Sequence, residues 1–216
     1  MKAALFDLDD TLYDAKQYFL GAFGTVSEYI ATKYGVSKQA VYEALVELWR
    51  QKTSMYPLLF NDLLNLFHLD LGSLEHIVKI YNEYIGEMKP YPDVIPTLQE
   101  LRGKHFKLGI LTDGNVKRQK RKIEALGFKT LFDVIVYAQE IASKPSALSY
   151  LDAVKKLGAE PANIIYIGDN PLLDFKGAKE AGLKTVRILR GEFKNVPRNE
   201  YIDFEIEKLD ELIKIS

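Results

Sequence analysis

The chain has 216 residues, 47% of them hydrophobic, which is enough for one large domain or a domain with a small insert. Its 29 basic and 30 acidic side chains give a formal net charge of −1, which argues against general nucleic-acid binding. The absence of cysteine excludes disulfides, thiolate zinc sites and cysteine nucleophiles. The sequence has neither a secretory signal pattern nor an apolar run of the roughly 18 residues that a membrane helix needs, so we expect a cytoplasmic protein with no membrane partner.

An apolar run at residues 3–8 has the length and bulk of a strand that is buried on both faces, as in parallel sheets. It ends in the acids Asp7, Asp9 and Asp10, followed by Thr11. Carboxylates are seldom buried unless they are paired or bound to metal. Ligands of open α/β sheets bind at the carboxyl ends of the strands. Capping of a following helix could explain Asp10 or Thr11 but not Asp7, so we interpret the cluster as functional.

Helical periodicity, with no strand pattern, characterises the next segment. Ser37 is a suitable N-cap for the second helix of this segment. Pro90 and Pro92 mark its end, because prolines terminate helices and stiffen linkers. We predict an all-helical subdomain at 14–88, inserted into a core formed by 1–13 plus 89–216. The helices are predicted at 15–34, 38–52, 58–69 and 74–88.

Strand and helix patterns alternate after this junction, which predicts an α/β fold with a parallel sheet. The predicted strands cover 106–112, 134–137, 163–168, 184–189 and a short segment at 203–206. The predicted helices cover 94–101, 116–126, 146–157, 174–181 and 209–215. One helix contains five basic residues among the six at 117–122, and we interpret this run as a solvent-exposed face with Ile123 and Leu126 turned inward.

Polar residues follow several of the predicted strands. Thr112 ends one strand and leads through a glycine-containing turn into a helix, an arrangement suited to binding an anion, although helix capping explains it better when it is taken alone. Lys144 precedes Pro145, which restricts its backbone. Another strand stops at Asp169, for which capping offers no explanation, whereas capping is sufficient for Asp174.

The acids Asp7, Asp9 and Asp169 would meet at one edge of the sheet if their strands are neighbours. Two unit charges about 4 Å apart repel by about 4 kcal/mol at an effective dielectric near 20, so such a cluster needs a cation or shared protons. Oxygen ligands beside an anion-binding turn favour Mg²⁺. A metal, a lysine, a hydroxyl and turn N–H groups together describe a phosphoryl-transfer site, in which a carboxylate can be the nucleophile.

Four motifs, in this order, resemble those of the haloacid dehalogenase superfamily of phosphohydrolases, and the resemblance covers nearly the whole chain. They are Asp7-Leu8-Asp9-Asp10-Thr11, Thr112, Lys144-Pro145, and Gly168-Asp169 with Asp174. The helical insert resembles the helical cap of the first type in this superfamily. The resemblance implies a Rossmann-like core, Mg²⁺ as the cofactor and a small phosphorylated metabolite as the partner.

The resemblance also implies roles for the four acids. Asp7 is implied to be the nucleophile that attacks phosphorus, and Asp9 the general acid–base. Asp7, the backbone carbonyl of Asp9, and Asp169 are implied to hold Mg²⁺, with Asp174 supporting the metal site. The presence of Asp9 favours phosphatase or phosphomutase chemistry over cleavage of carbon–halogen bonds, because relatives that cleave those bonds usually lack the second acid.

The remaining implied contacts are with the phosphoryl group. Thr112 and Lys144 are implied to bind its oxygens, with help from the backbone near Asp113 and Gly114. Asp113 stands where many relatives have asparagine, and we expect its side chain to point away from the phosphate. Ser143 lies next to Lys144 in a motif where relatives often have glycine.

The sequence therefore predicts Mg²⁺-dependent hydrolysis of small phosphomonoesters through an aspartyl phosphate on Asp7. Two alternatives stay open: a phosphomutase of the same superfamily, and a non-catalytic module that binds a phosphorylated ligand. Either a monomer or a homodimer is compatible with the sequence.

Overall fold

The structure, a computed structural model, describes residues 2–215. Two compact units can be distinguished, one formed by Lys16–Glu87 and the other by the segments before and after it. The range 14–88 predicted for the helical insert is slightly wider than the first unit. Within residues 2–215, no helix is both long enough and apolar enough to cross a membrane.

The helices and strands follow one another in an order that places one strand before the helical unit and the others after it. In chain order they are β1 (Ala3–Phe6), α1 (Lys16–Tyr34), α2 (Lys38–Lys52), α3 (Leu59–Leu66), α4 (Leu74–Glu83), α5 (Val94–Gly103), β2 (Lys107–Thr112), α6 (Val116–Ala125), β3 (Val134–Tyr137), α7 (Ala147–Leu157), β4 (Ile164–Gly168), α8 (Phe175–Glu180), β5 (Lys184–Ile188), β6 (Phe204–Ile206) and α9 (Leu212–Ile215).

The six strands form one sheet in the order β3-β2-β1-β4-β5-β6, and every neighbouring pair is parallel. This confirms the predicted α/β, Rossmann-like core. β1 lies between β2 and β4, with Phe6 level with Ile110 on one side and Ile167 on the other. All four residues of β1 are fully buried, as expected for a strand covered on both faces of the sheet.

One face of the sheet packs against α7 and α8. Side chains of both helices join those of the strands in a continuous apolar cluster, which includes Leu5, Leu111, Tyr150, Tyr166 and Phe175. α6 begins after Asn115, whose side-chain oxygen accepts a hydrogen bond from the N–H of Arg118 at 3.1 Å and so caps the helix. The residues of α6 that are buried, Gln119, Lys122 and Ile123, are three or four positions apart and share one face of the helix.

The helical unit, Lys16–Glu87, has its own apolar core, formed by side chains of α1–α4 that include Phe23, Ile30, Leu45, Trp49 and Leu63. Ser37 caps α2 as predicted, accepting from the N–H of Ala40 at 3.3 Å. The extension of the fourth helix to residue 88 was wrong, since α4 ends at Glu83 and Tyr84 is extended. The Tyr84 ring lies against Gly21 and Gly86, where a Cβ atom would have no room.

Candidate active site

The carboxyl ends of β1, β2 and β4 lie side by side, because these parallel strands are neighbours in the sheet. Asp7 follows β1 directly, and its N–H donates to the carbonyl of Ile167 in β4 at 2.8 Å. Thr112 is the last residue of β2, and Asp169 is the first residue after β4. The fold therefore brings residues from three distant parts of the chain to one edge of the sheet.

Lys144 reaches this edge from the loop that precedes α7. Its ammonium group lies 2.5 Å from Asp7 Oδ1 and 2.8 Å from both Asp174 Oδ1 and the Tyr166 hydroxyl. Its side chain is almost fully buried. Burial opposes the positive charge, but the carboxylates of Asp174 and Asp7 outweigh that effect and hold the pKa of Lys144 well above its usual value. Lys144 is therefore a fixed cation at this edge.

Asp174 holds Lys144 and the end of β4 together. Its Oδ1 accepts from Lys144 and from the Tyr166 hydroxyl, and its Oδ2 accepts from the N–H of Asn170 at 2.9 Å. Gly168 ends β4 against this carboxylate, and a Cβ at position 168 would lie 2.5 Å from Asp174 Oδ2. The glycine is thus needed for the close approach of Asp174.

The surroundings of Asp7 and Asp169 disfavour the ionised form of each carboxyl group. Burial raises the pKa of Asp7 to about 8, with Lys144 opposing this effect and Asp174 adding to it. Burial and the nearby charge of Asp174 raise the pKa of Asp169 well above its usual value. Asp169 is only 4% exposed, so solvent can offset little of the charge on its carboxylate.

The donor set at this edge suits a divalent cation. Three buried carboxylates, those of Asp7, Asp169 and Asp174, face a single buried ammonium, that of Lys144, which leaves a formal charge of −2. No group of three acidic or histidine side chains within residues 2–215 forms a metal site by itself. Mg²⁺ does not require one, because it is commonly bound by one or two carboxylates together with waters and phosphate. Asp7 and Asp169 could supply those carboxylates.

Asp9 lies in a different environment, although it is only two residues from Asp7. Its Oδ1 accepts from the Tyr13 hydroxyl at 2.5 Å and from the Lys122 ammonium at 2.6 Å, and its Oδ2 accepts from Gln119 Nε2 at 2.7 Å. Burial tends to raise the pKa of Asp9, but Lys122, together with the hydrogen bonds from Tyr13 and Gln119, outweighs burial and lowers that pKa to about 2. Asp9 is therefore a carboxylate at neutral pH in this arrangement.

Asp10, the third acid of the cluster, supports the loop that follows β1. It adopts a left-handed conformation with φ of 55°, and its carboxylate accepts from the N–H groups of Ala15 at 2.9 Å and Glu192 at 3.1 Å. Burial raises its pKa to about 6, against the effect of these two hydrogen bonds. Its contacts describe a structural role in joining two loops.

Asp113 connects the loop after β2 to the loop that carries Lys144. Its carboxylate accepts from the Ser143 hydroxyl at 3.0 Å and from the N–H of Lys144 at 2.9 Å. It also accepts from the N–H of Gly114 at 2.7 Å, and Gly114 has a φ of 97° that favours glycine. The side chains of Asp113 and Ser143, which both depart from the usual motifs, are thus bonded to each other.

Thr112 accepts a hydrogen bond from Gln119 Nε2 at 2.5 Å.

The amino-acid sequence matches the family model described as haloacid dehalogenase-like hydrolase over residues 4–188. The chain belongs to the haloacid dehalogenase-like hydrolases. The predicted family is therefore confirmed, and the motifs that suggested it, from Asp7 to Asp174, fall within the matched range. The family is abbreviated as HAD.

Relatives of this HAD-like hydrolase match it over its full length. It is 35% identical to the glyceraldehyde 3-phosphate phosphatase of Methanopyrus kandleri, with 100% of this chain and 97% of the relative covered. It is 32% identical to the enzyme of the same name from Methanocaldococcus jannaschii, with coverages of 100% and 96%. A crystal structure of a HAD phosphatase from Thermococcus onnurineus is similar with a TM-score of 0.71, at 33% identity and coverages of 100% and 97%.

Four residues of this HAD-like hydrolase site were not anticipated from the sequence: Tyr13, Gln119, Lys122 and Tyr166. The interpretation of 117–122 as a solvent-exposed face was wrong for Gln119 and Lys122, which are each 1% exposed. Their spacing from Ile123 and Leu126 places them on the inward face, and that was the signal available. An inward-facing lysine is unfavourable until its partner is known, and the partner Asp9 is 113 residues away.

Proposed function

We propose that this HAD-like hydrolase cleaves small phosphomonoesters with Mg²⁺ as its cofactor, and that glyceraldehyde 3-phosphate is the first substrate to test. The observation that carries the proposal is the buried edge of the sheet, where Asp7, Asp169 and Asp174 outnumber Lys144 and leave a formal charge of −2. The names of the relatives from Methanopyrus kandleri and Methanocaldococcus jannaschii support the choice of substrate.

The proposed reaction has two steps. In the first, a carboxylate oxygen of Asp7 bonds to phosphorus, the bond from phosphorus to the ester oxygen breaks, and the leaving oxygen takes a proton from Asp9. In the second, water attacks the phosphorus of the aspartyl phosphate, Asp9 takes a proton from that water, and the bond to Asp7 breaks to release inorganic phosphate. The ionised state that Lys122 favours for Asp9 is the form that the second step requires, so Asp9 has to take up a proton before it can act as the acid of the first step.

Mg²⁺ would be held by Asp7, the backbone carbonyl of Asp9, and Asp169, and when bound it would supply positive charge for the phosphoryl oxygens. Asp174 would support this site through its bonds to Lys144 and to the N–H of Asn170.

The phosphoryl oxygens would also be bound by the Thr112 hydroxyl and the Lys144 ammonium. Lys144 is suited to this role because it stays charged and is fixed by three oxygen partners. The N–H groups near Asp113 and Gly114 are further proposed ligands, and the N–H of Gly114 would have to exchange its bond to Asp113 Oδ1 for one to the phosphate.

The test is release of inorganic phosphate from glyceraldehyde 3-phosphate, phosphoglycolate, a sugar phosphate and a nucleoside monophosphate, with and without Mg²⁺. We expect Asp7→Asn to lower turnover by at least about a thousandfold, because it removes the nucleophile. Asp210→Asn, a change at an exposed acid, is the matched control and should have the activity of the unmodified protein. Turnover in Asp7→Asn within tenfold of that value would exclude the mechanism.

A further inference from the structure

Gln119 and Lys122 lie one turn apart on the buried side of α6, a helix whose other side is exposed and basic. Burying an ammonium group is unfavourable unless an anion pairs with it. Lys122 Nζ lies 2.6 Å from Asp9 Oδ1 and 5.9 Å from the centre of the Tyr13 ring. A buried cation on this face of α6 is therefore directed at Asp9.

Gln119 connects Asp9 to Thr112 through one amide group. Its Nε2 donates to Asp9 Oδ2 at 2.7 Å and to Thr112 Oγ1 at 2.5 Å, so each of its two protons has an acceptor. The Asp9 carboxylate can only accept, which sets the amide with its nitrogen toward Asp9. Because Thr112 accepts from Gln119, its own hydroxyl proton stays available for an oxygen of the substrate.

The oxygen of the Gln119 amide is less well satisfied than the nitrogen. Gln119 Oε1 is buried and, within residues 2–215, has no hydrogen-bond partner. An unsatisfied buried acceptor costs about 1–3 kcal/mol, which offsets part of the stability that the two hydrogen bonds from Nε2 contribute. The presence of glutamine at position 119 is therefore explained by the two groups that its nitrogen orients, the Asp9 carboxylate and the Thr112 hydroxyl.

We infer that Gln119 and Lys122 are positioning residues of the proposed reaction, which hold the Asp9 carboxylate and the Thr112 hydroxyl in a fixed relative orientation. This inference rests on the proposed function. Both oxygens of Asp9 are held, Oδ1 by Lys122 and Tyr13 and Oδ2 by Gln119. Misplacement of a reacting group by about 1 Å can cost a hundredfold in rate, so loss of either contact should slow the step in which Asp9 transfers a proton.

The experiment compares two substrates that differ in their need for that proton: the best alkyl phosphomonoester of the panel, and p-nitrophenyl phosphate, whose leaving group departs without protonation. The variants are Gln119→Met and Lys122→Met, with Lys122→Arg as the conservative replacement. Lys120→Met is the matched control, because Lys120 is on the same helix with its side chain about half exposed and its ammonium 3.5 Å from Glu140. Thermal unfolding of each variant identifies any that fails to fold.

We expect Gln119→Met and Lys122→Met to lower kcat/KM for the alkyl ester at least about tenfold and for p-nitrophenyl phosphate less than about threefold. Lys122→Arg should recover part of the loss, and Lys120→Met should leave both values unchanged. Equal losses on the two substrates in a folded Gln119→Met variant, or no loss on either, would overturn the inference alone. An unmodified protein that cleaves no phosphomonoester would instead overturn the proposed function.

Discussion

Two clusters of charged side chains lie at the end of β1, and they differ in their net formal charge. The Asp7 cluster, formed by Asp7, Lys144, Asp169 and Asp174, has three buried carboxylates around one ammonium. The Asp9 cluster, formed by Tyr13, Asp9, Gln119 and Lys122, pairs one carboxylate with one ammonium and two neutral donors. The Asp9 side chain is 30% exposed, whereas those of Asp7 and Asp174 are 11% and 3% exposed.

The comparison shows how two acids in one short motif acquire opposite properties. Burial raises the pKa of Asp7, and Lys122 lowers that of Asp9. An excess of buried negative charge is suited to a divalent cation, and a balanced pair is suited to holding one carboxylate in place. The three predictions below test this difference through stability, metal binding and loop geometry.

The largest effect should come from removing the cation of each cluster. In the absence of Mg²⁺, Lys144→Met should lower the free energy of unfolding by about 3–5 kcal/mol, because it leaves two buried carboxylates without their partner. Lys122→Met should cost less, since water can reach Asp9. Urea denaturation measures both, with Lys38→Met, in an exposed pair with Glu28, as the control. Equal losses for Lys144→Met and Lys122→Met would contradict the comparison.

An intermediate effect should follow from Mg²⁺ itself. At a Mg²⁺ concentration about 100 times its Kd, binding should raise the free energy of unfolding by about 2.7 kcal/mol. Thermal unfolding with and without Mg²⁺ measures this increase. Asp169→Asn should lose most of it, because the change removes a proposed ligand, and Lys122→Met should keep it. An Asp169→Asn variant that is stabilised as strongly as the unmodified protein would place the cation elsewhere.

The smallest effect should come from the bond between Asp113 and Ser143. Ser143→Ala should lower the free energy of unfolding by about 1 kcal/mol, and Asp113→Ala by about 1–3 kcal/mol, because Asp113 accepts three hydrogen bonds. Both changes should raise KM more than they lower kcat, since they loosen the loop that carries Lys144. The double variant measured in the same denaturation series should reveal coupling, and purely additive losses would mean that the two residues act independently.

Much of the fold could be predicted from the sequence because its signals are local. Alternating apolar strands and amphipathic helices after residue 93 predicted the parallel sheet, and the acids at the strand ends predicted which edge of the sheet would hold a cluster of carboxylates. Helix ends were harder. α4 stops at Glu83, and the Tyr84 ring that follows lies against Gly21, which is 63 residues earlier in the chain and gives no local signal for such a contact.

The sequence by itself determined which residue types end the strands, and therefore the presence of Asp7, Asp9, Thr112 and Asp169 at one edge of a parallel sheet. Only the tertiary structure decided which acid meets which cation. The pairing of Lys144 with Asp7 and of Lys122 with Asp9 spans 137 and 113 residues. Such pairings depend on strand order and on the face that each helix turns to the sheet, and these are fixed by packing rather than by local propensity.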